Sequence, residues 1–499
     1  MNWKKLQNGS DIRGVALEGV QGEDVNLTPE VATILGKAFV QWLRNKTVQT
    51  KVEVAVGTDS RISGAVLKKA FIDGLNQAGA NVFDCGLAST PAMFMTTITS
   101  EKATTAGVMI TASHLPFNRN GFKFFTASGG LDKKEITEIL QIAETKAYSE
   151  DAETKSVNSW SFIDEYSMFL VDYIRRNANI KSNYDKPLHG LKIIVDAGNG
   201  AGGFFASKVL EPLGADTTGS QFLEPDGHFP NHVPNPEDKI AMQSICDAVV
   251  KEKADLGVIF DTDVDRSAIV DANGNPVNRN ALIAMISAVV LSEHPGSTIV
   301  TDSITSDGLT KFIETELKGK HHRFQRGYKN VINESIRLNN GGEESWLAIE
   351  TSGHAALKEN YFLDDGAYLV AKLLVEMARL NAEGKTLTNL IEKLQEPLES
   401  VEMRYSIDDA DFGNYGKNVL AELASKVAIE LGWEIVSPNY EGIRVRCTAP
   451  NEMGWFLLRM SLHDPVMPLN IESEVEKGVV NIALKLQNLL AEFNALKIK

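Results

Sequence analysis

The sequence predicts an α/β fold in four domains, and three observations predict it. An apolar run, a turn of small or polar residues and a helical stretch recur along the chain, and runs of that length bounded by turns suit strands buried in a sheet. The length of 499 residues holds about three to four domains of ordinary size. After Pro397 the alternation gives way to a mixed segment rich in strand-like pieces.

Taken in order, Val52–Gly57 leads into Thr58-Asp59-Ser60-Arg61 and an amphipathic stretch over 66–78. Gly107–Ile110 leads into Thr111-Ala112-Ser113-His114. The polar segment 148–161 reads as an exposed connection, and 182–190 precedes a fresh strand at Leu191–Val195. That strand enters Asp196-Ala197-Gly198-Asn199-Gly200 and a helical stretch over 204–213. Leu256–Phe260 enters Asp261-Thr262-Asp263-Val264-Asp265-Arg266, and His294-Pro295-Gly296 punctuates the chain before Ser297–Val300 and a helix over 308–316. Ser345–Ile349 enters Glu350-Thr351-Ser352-Gly353-His354, and the last region carries strands at Ile443–Cys447 and Trp455–Met460. The breaks place domains at 1–186, 187–295, 296–398 and 399–499. In open α/β sheets ligands bind at the carboxyl ends of strands, so these turns are where chemistry is expected.

Composition narrows the functional classes. A net charge of −16 argues against a nucleic-acid surface, whose affinity rests on Lys and Arg. No window is apolar enough for a bilayer span, and the N-terminus lacks the apolar core of a signal peptide. Cys85, Cys246 and Cys447 are too few and too scattered for a disulfide framework or zinc site, so a reducing cytoplasm is the expected compartment. Oligomeric state is not legible.

Asp261, Asp263 and Asp265 bring three carboxylates together after a buried strand, an arrangement whose repulsion a hard cation such as Mg²⁺ relieves. An EF-hand is excluded because its sixth and twelfth positions hold Arg266 and Ala272. Ser113 stands at a strand end with His114, Arg119 and Lys123 nearby, which is the setting of a nucleophile or phosphate carrier. No Gly-x-Ser-x-Gly elbow surrounds it. Gly198–Gly203 matches the dinucleotide fingerprint, with Glu224 and Asp226 at ribose distance, so a nicotinamide oxidoreductase is the rival reading. A P-loop is absent from the sequence. Glu350 and Ser352 suit sugar hydroxyls, and Arg459 with Ser461 suits a phosphate.

In this order and spacing the motifs resemble those of the α-D-phosphohexomutase superfamily over essentially the whole chain. Asn8–Gly14 is similar to its N-terminal Arg-Gly loop, Thr111–Pro116 to its phosphoserine loop and Asn120–Lys123 to the Asn-Gly-x-Lys after it. Asp261–Arg266 matches its metal loop, Pro225–Pro230 with Pro234-Asn235-Pro236 a further family segment, and Glu350–His354 its sugar loop. The resemblance implies three α/β domains with mixed sheets and a smaller α+β C-terminal domain around a central cleft. It implies that phospho-Ser113 exchanges a phosphoryl group with hexose monophosphates and bisphosphates, interconverting 1- and 6-phosphates. Mg²⁺ would sit on Asp261, Asp263, Asp265 and a Ser113 oxygen. Arg13, His114, Lys123 and Arg266 would serve the transfer, with Lys123 the acid/base candidate. Glu350, Ser352, His354, Gly327 and Lys329 would bind the sugar, and Arg459, Ser461 and His463 the other phosphate.

The family's last loop reads Arg-x-Ser-x-Thr-Glu-Pro with a second Arg beyond it. Here His463, Asp464 and Pro468 replace the Thr, the Glu and that Arg, leaving Arg444 or Arg446 to compensate. A weaker grip on the bisphosphate intermediate motivates an alternative, a hexose 1,6-bisphosphate synthase fed by a donor such as fructose 1,6-bisphosphate. A catalytically inactive sugar-phosphate sensor is a further reading, which retention of the catalytic residues disfavours.

Overall fold

The computed structural model describes residues 2–46, 51–98, 103–151, 153, 155–461 and 464–498. The chain forms two compact units, one of residues 1–278 with 352–389 and one of residues 279–351 with 390–499.

In the first unit the described residues form an eight-stranded mixed sheet. Its middle runs Asp11–Val15, Arg119–Thr126, Ala106–Ile110, Glu53–Thr58 and Asn81–Leu87. The last three of these pair in parallel, whereas Arg119–Thr126 is antiparallel to both of its neighbours. Helices Pro29–Lys46, Gly64–Gln77 and Lys133–Thr145 cover one face, over a core that includes Phe39, Phe71, Phe122 and Phe124. A short buried helix, Thr90–Met95, starts at Ser89, whose hydroxyl accepts from the Ala92 amide.

A second sheet orders Pro276–Val277, Ser267–Asp271, Leu256–Phe260 and Ile193–Asp196. Leu256–Phe260 runs parallel to Ile193–Asp196 and antiparallel to Ser267–Asp271. The hairpin of Ala355–Leu357 with Leu363–Asp364 and helix Gly366–Ala382 complete this unit, the helix lying against Phe162–Ala178 through Tyr368, Phe169 and Tyr173.

The expectation of strand–turn–helix units is corrected at the two loops that matter most. Asp261–Arg266 and Thr111–Asn118 each join antiparallel strands, with Phe260 paired to Ser267 and Ile110 to Phe122. All four strands are almost wholly buried, so they lack the apolar–polar alternation that distinguishes antiparallel from parallel strands in sequence. Within 148–161, expected to be a connection, Val157–Ser159 is an exposed strand on the edge of the first sheet.

The second unit contains parallel strands Lys320–Arg323, Thr298–Thr301 and Ser345–Ile349. Its C-terminal part is a six-stranded antiparallel sheet of the described residues, with Gly454–Leu458 and Val466–Ser473 at its centre. Helices Phe412–Val427 and Gly478–Leu490 pack on it over Val419, Leu423, Ile482 and Leu486. Cys85, Cys246 and Cys447 are unpaired and buried. No described helix is long and apolar enough to cross a membrane.

Candidate active site

Ser113 is 4% exposed and holds a left-handed backbone, φ 51°, a conformation that costs a non-glycine residue energy unless its surroundings enforce it. The Thr111 hydroxyl accepts from the Ser113 amide at 2.9 Å. The Ser113 hydroxyl donates to Asp261 Oδ2 at 3.0 Å and accepts from Arg266 Nη2 at 3.0 Å. Two loops far apart in sequence therefore meet at one oxygen.

Asp261, Asp263 and Asp265 are almost fully buried, and one oxygen from each lies within 4.8 Å of the others. Their partners differ. Asp261 is bound by the Arg266 amide at 3.2 Å and by its guanidinium at 3.0 Å. Asp263 Oδ2 accepts from Thr90 at 2.5 Å and Lys123 at 3.0 Å. Lys123 also pairs with Asp265. The Oδ1 atoms of Asp263 and Asp265 are buried without a hydrogen-bond partner. Buried carboxylate oxygens are costly when unpaired, so this donor set of clustered hard oxygens fits a divalent cation. Burial and the two neighbouring carboxylates push Asp261 upward, whereas Lys123, His354 and Arg266 outweigh burial at Asp265 and hold it low.

Arg266 Nη2 donates to His114 Nδ1 at 2.6 Å. A guanidinium only donates, so this nitrogen accepts and the ring is neutral. Burial and the Arg266 charge bring its pKa to about 2. His354 faces the other way. Burial opposes its charge, but Asp364, 2.5 Å from Nδ1, and Asp265 carry it to about 9. A backbone bridge joins His354 to Arg266, and Gly353, at φ 93°, brings its backbone against Ser267. Arg13 pairs with Asp11 at 3.0 Å, and its charge reaches His114. Ser352 is buried at the start of this segment.

The glycine-rich turn is occupied by the chain itself. The Ala201 amide donates to the Thr262 carbonyl at 2.8 Å. A Cβ at Gly200 would lie 2.7 Å from that carbonyl, and one at Gly203 would lie 2.2 Å from the Leu223 carbonyl. The glycines admit the aspartate loop and the neighbouring segment at Leu223, so close backbone packing accounts for the spacing that reads as a dinucleotide fingerprint.

In the second unit the buried Glu350 accepts from the Gly327 amide at 2.6 Å, and Gly327, at φ 117°, precedes helix Tyr328–Asn340, whose second residue is Lys329. Buried Arg459 pairs with Glu441 at 3.5 Å, and the Ser461 hydroxyl accepts from the Asp464 amide at 3.3 Å. His463 lies outside the described residues. Arg444, expected to compensate for the missing guanidinium, is committed elsewhere: it donates to the Ser303 and Thr305 carbonyls and Asp307, and stacks on Trp455. Arg446 is exposed.

Thr90 and Asp364 lie outside the motifs read from the sequence, and Asn235 is named there only within the Pro234-Asn235-Pro236 segment, with no role. Asn235 accepts from Arg266 Nη1 at 3.2 Å. None carries a charge pattern of its own; the only signal for Thr90 is the Ser-Thr-Pro helix start.

Three family descriptions match the chain: phosphoglucomutase/phosphomannomutase α/β/α domain I at residues 4–150, domain II at 169–274 and domain III at 278–398. A phosphoglucomutase of Neisseria gonorrhoeae is 29% identical over 95% of this chain and 94% of its own length. A phosphomannomutase/phosphoglucomutase of Pseudomonas syringae pv. tomato is 31% identical over the same shares. The crystal structure of a phosphoglucomutase/phosphomannomutase family protein from Burkholderia thailandensis superposes with a TM-score of 0.78 at 26% identity, covering 98% of both chains.

Proposed function

The chain belongs to the α-D-phosphohexomutase superfamily as an enzyme of its phosphoglucomutase/phosphomannomutase family, and on that premise we propose that it interconverts hexose 1-phosphates and 6-phosphates through a phosphorylated Ser113. The observation that carries this reading is the Ser113 hydroxyl set between Asp261 and Arg266 at 3.0 Å from each. In the forward half-reaction the bond between Ser113 Oγ and phosphorus breaks as a sugar hydroxyl oxygen bonds to phosphorus. The second half returns the substrate's other phosphoryl group to Ser113.

A Mg²⁺ ion held by Asp261, Asp263, Asp265 and an oxygen on Ser113 would neutralise charge on the transferring group. The protein's own part is positioning and charge. Arg266 binds the Ser113 oxygen and so stabilises the charge it gains as the phosphoryl group leaves. Lys123 is the group proposed to exchange a proton with the sugar hydroxyl. It is held in ion pairs with Asp263 and Asp265. Neutral His114 accepts from Arg266 and fixes the guanidinium's direction. Arg13 adds positive charge. Glu350, Ser352, His354, Gly327 and Lys329 are assigned to the sugar, and Arg459, Ser461 and His463 to the phosphate that does not react. The four-domain division at 186, 295 and 398 and a cytoplasmic location, in keeping with three unpaired thiols, belong to the same proposal.

One observation favours the second reading, release of hexose 1,6-bisphosphate. Pro468 stands where the family has an arginine, and Arg444 is bound to backbone and Asp307 instead of replacing it. The two readings separate in a single assay. Glucose 6-phosphate with fructose 1,6-bisphosphate gives fast isomerisation and trace bisphosphate from a mutase, and glucose 1,6-bisphosphate equal to the donor consumed from a synthase. Neither product from any hexose phosphate in a panel contradicts both.

A further inference from the structure

Arg61 is 3% exposed and lies in the turn after strand Glu53–Thr58. Its guanidinium points at the backbone of the serine loop. Nη1 donates to the carbonyls of Pro116 at 2.8 Å and Arg119 at 2.9 Å; Nη2 donates to Leu115 at 2.6 Å and to the carbonyl of Ser113 itself. Nε faces Asp59 Oδ2 at 3.3 Å, and Asp59 also accepts from the Arg61 amide at 2.9 Å. A single buried cation thus gathers three carbonyls of one loop and that of Arg119, the first residue of the strand after it, and faces the Asp59 carboxylate. A buried charge is tolerated only when paired and hydrogen-bonded, and the flat five-donor fork of arginine can span several acceptors where a lysine ammonium cannot.

The segment Pro225–Pro230 forms the back of this arrangement. The Phe229 ring lies 5.4 Å from the Arg61 guanidinium. A Cβ at Gly227 would lie 2.4 Å from the Ile62 amide nitrogen and 2.5 Å from the Ser60 carbonyl. Only a glycine lets the two turns touch.

We infer that Arg61 is a positioning residue for phosphoryl transfer: by drawing the Ser113, Leu115, Pro116 and Arg119 carbonyls to one point, it imposes the left-handed backbone of Ser113 and aims its hydroxyl at Asp261. Asp59 holds the guanidinium in register, and Gly227 with Phe229 keeps it pressed on the loop. This rests on the phosphoserine reading for its catalytic consequence, although the clamp is a property of the loop that can be measured without turnover.

The test compares Arg61→Lys with Gly227→Ala, which leaves the guanidinium in place but crowds its turn. Amide exchange of the peptide over 111–121 is expected to speed up by about tenfold or more in Arg61→Lys while other peptides of the first sheet stay unchanged. kcat is expected to fall about 100-fold, with KM for the hexose phosphate within about threefold, because misaiming the serine damages the transfer and not the docking of the sugar. Gly227→Ala is expected to move both readouts in the same direction by less. Exchange and kcat equal to the unaltered enzyme in both variants overturn the inference, as does exchange that rises uniformly across the sheet. Ser113→Ala separates the two claims: full turnover in that variant removes the phosphoserine reading, while faster loop exchange in Arg61→Lys still supports the clamp.

Discussion

Arg266 and Ser113 are 153 residues apart in sequence, yet a guanidinium nitrogen of one lies 3.0 Å from the hydroxyl oxygen of the other. Each sits in a loop closed at both ends by antiparallel pairing, so neither can drift without disturbing a buried ladder. Replacing Arg266 with Lys keeps the charge but loses the fork that spans Asp261, Ser113 and His114. kcat is expected to fall about 10²–10³-fold, the cost of removing one preorganised donor from a developing oxyanion, with folding intact by circular dichroism.

The Oδ1 atoms of Asp263 and Asp265 are buried without a hydrogen bond, which leads to an expected response to metal. Chelation is expected to abolish turnover and Mg²⁺ to restore it. Adding Mg²⁺ to the stripped protein is expected to raise Tm by about 2–5 °C through preferential binding to the folded state. Asp263→Asn is expected to lose most of that shift, which differential scanning fluorimetry reads independently of activity.

Gly203→Ala places a methyl group against the Leu223 carbonyl, where a Cβ would lie 2.2 Å away. Overpacking of this kind costs about 1–3 kcal/mol, measurable by urea unfolding. Nicotinamide dinucleotides are expected to stabilise neither protein, since backbone fills the turn.

Glu472 supplies a pH dependence. Burial, with Asp307 and Glu396 adding to it against Arg444 and the Trp455 hydrogen bond, raises its pKa from 4.5 to about 7. The fold therefore favours the neutral acid: the contribution is full below about pH 4.5 and is lost as pH rises through about 7. Glu472→Gln is expected to match the unaltered protein in stability at pH 4.5 and to exceed it by roughly 2 kcal/mol at pH 8.

Much of this site was legible because its chemistry is local in sequence. Asp261, Asp263 and Asp265 stand at alternate positions, and Ser113 stands beside His114. What escaped was built by topology. Strands buried on both faces carry no sign of their direction, so the hairpins looked like crossovers. Arg61 is one arginine in one turn, and its role exists only because Ala106–Ile110 pairs beside Glu53–Thr58. Asp364 meets His354 through a hairpin whose strands are two and three residues long, too short to leave a pattern. Gly198–Gly203 was legible as a glycine-rich turn after a strand, but its partner was not: glycines that could admit a pyrophosphate admit Thr262 and Leu223 instead.

In the proposed cycle a phosphoryl group moves from Ser113 to the sugar. Intact mass and peptide mapping of the purified, active enzyme, before and after one equivalent of hexose monophosphate, tests it most directly. The expected result is a phosphate on the peptide containing Ser113 which, when isotopically labelled, passes to the hexose phosphate while the substrate's own phosphate takes its place on Ser113. An active enzyme whose Ser113 never carries phosphate, or whose label stays in place while substrate turns over, contradicts it.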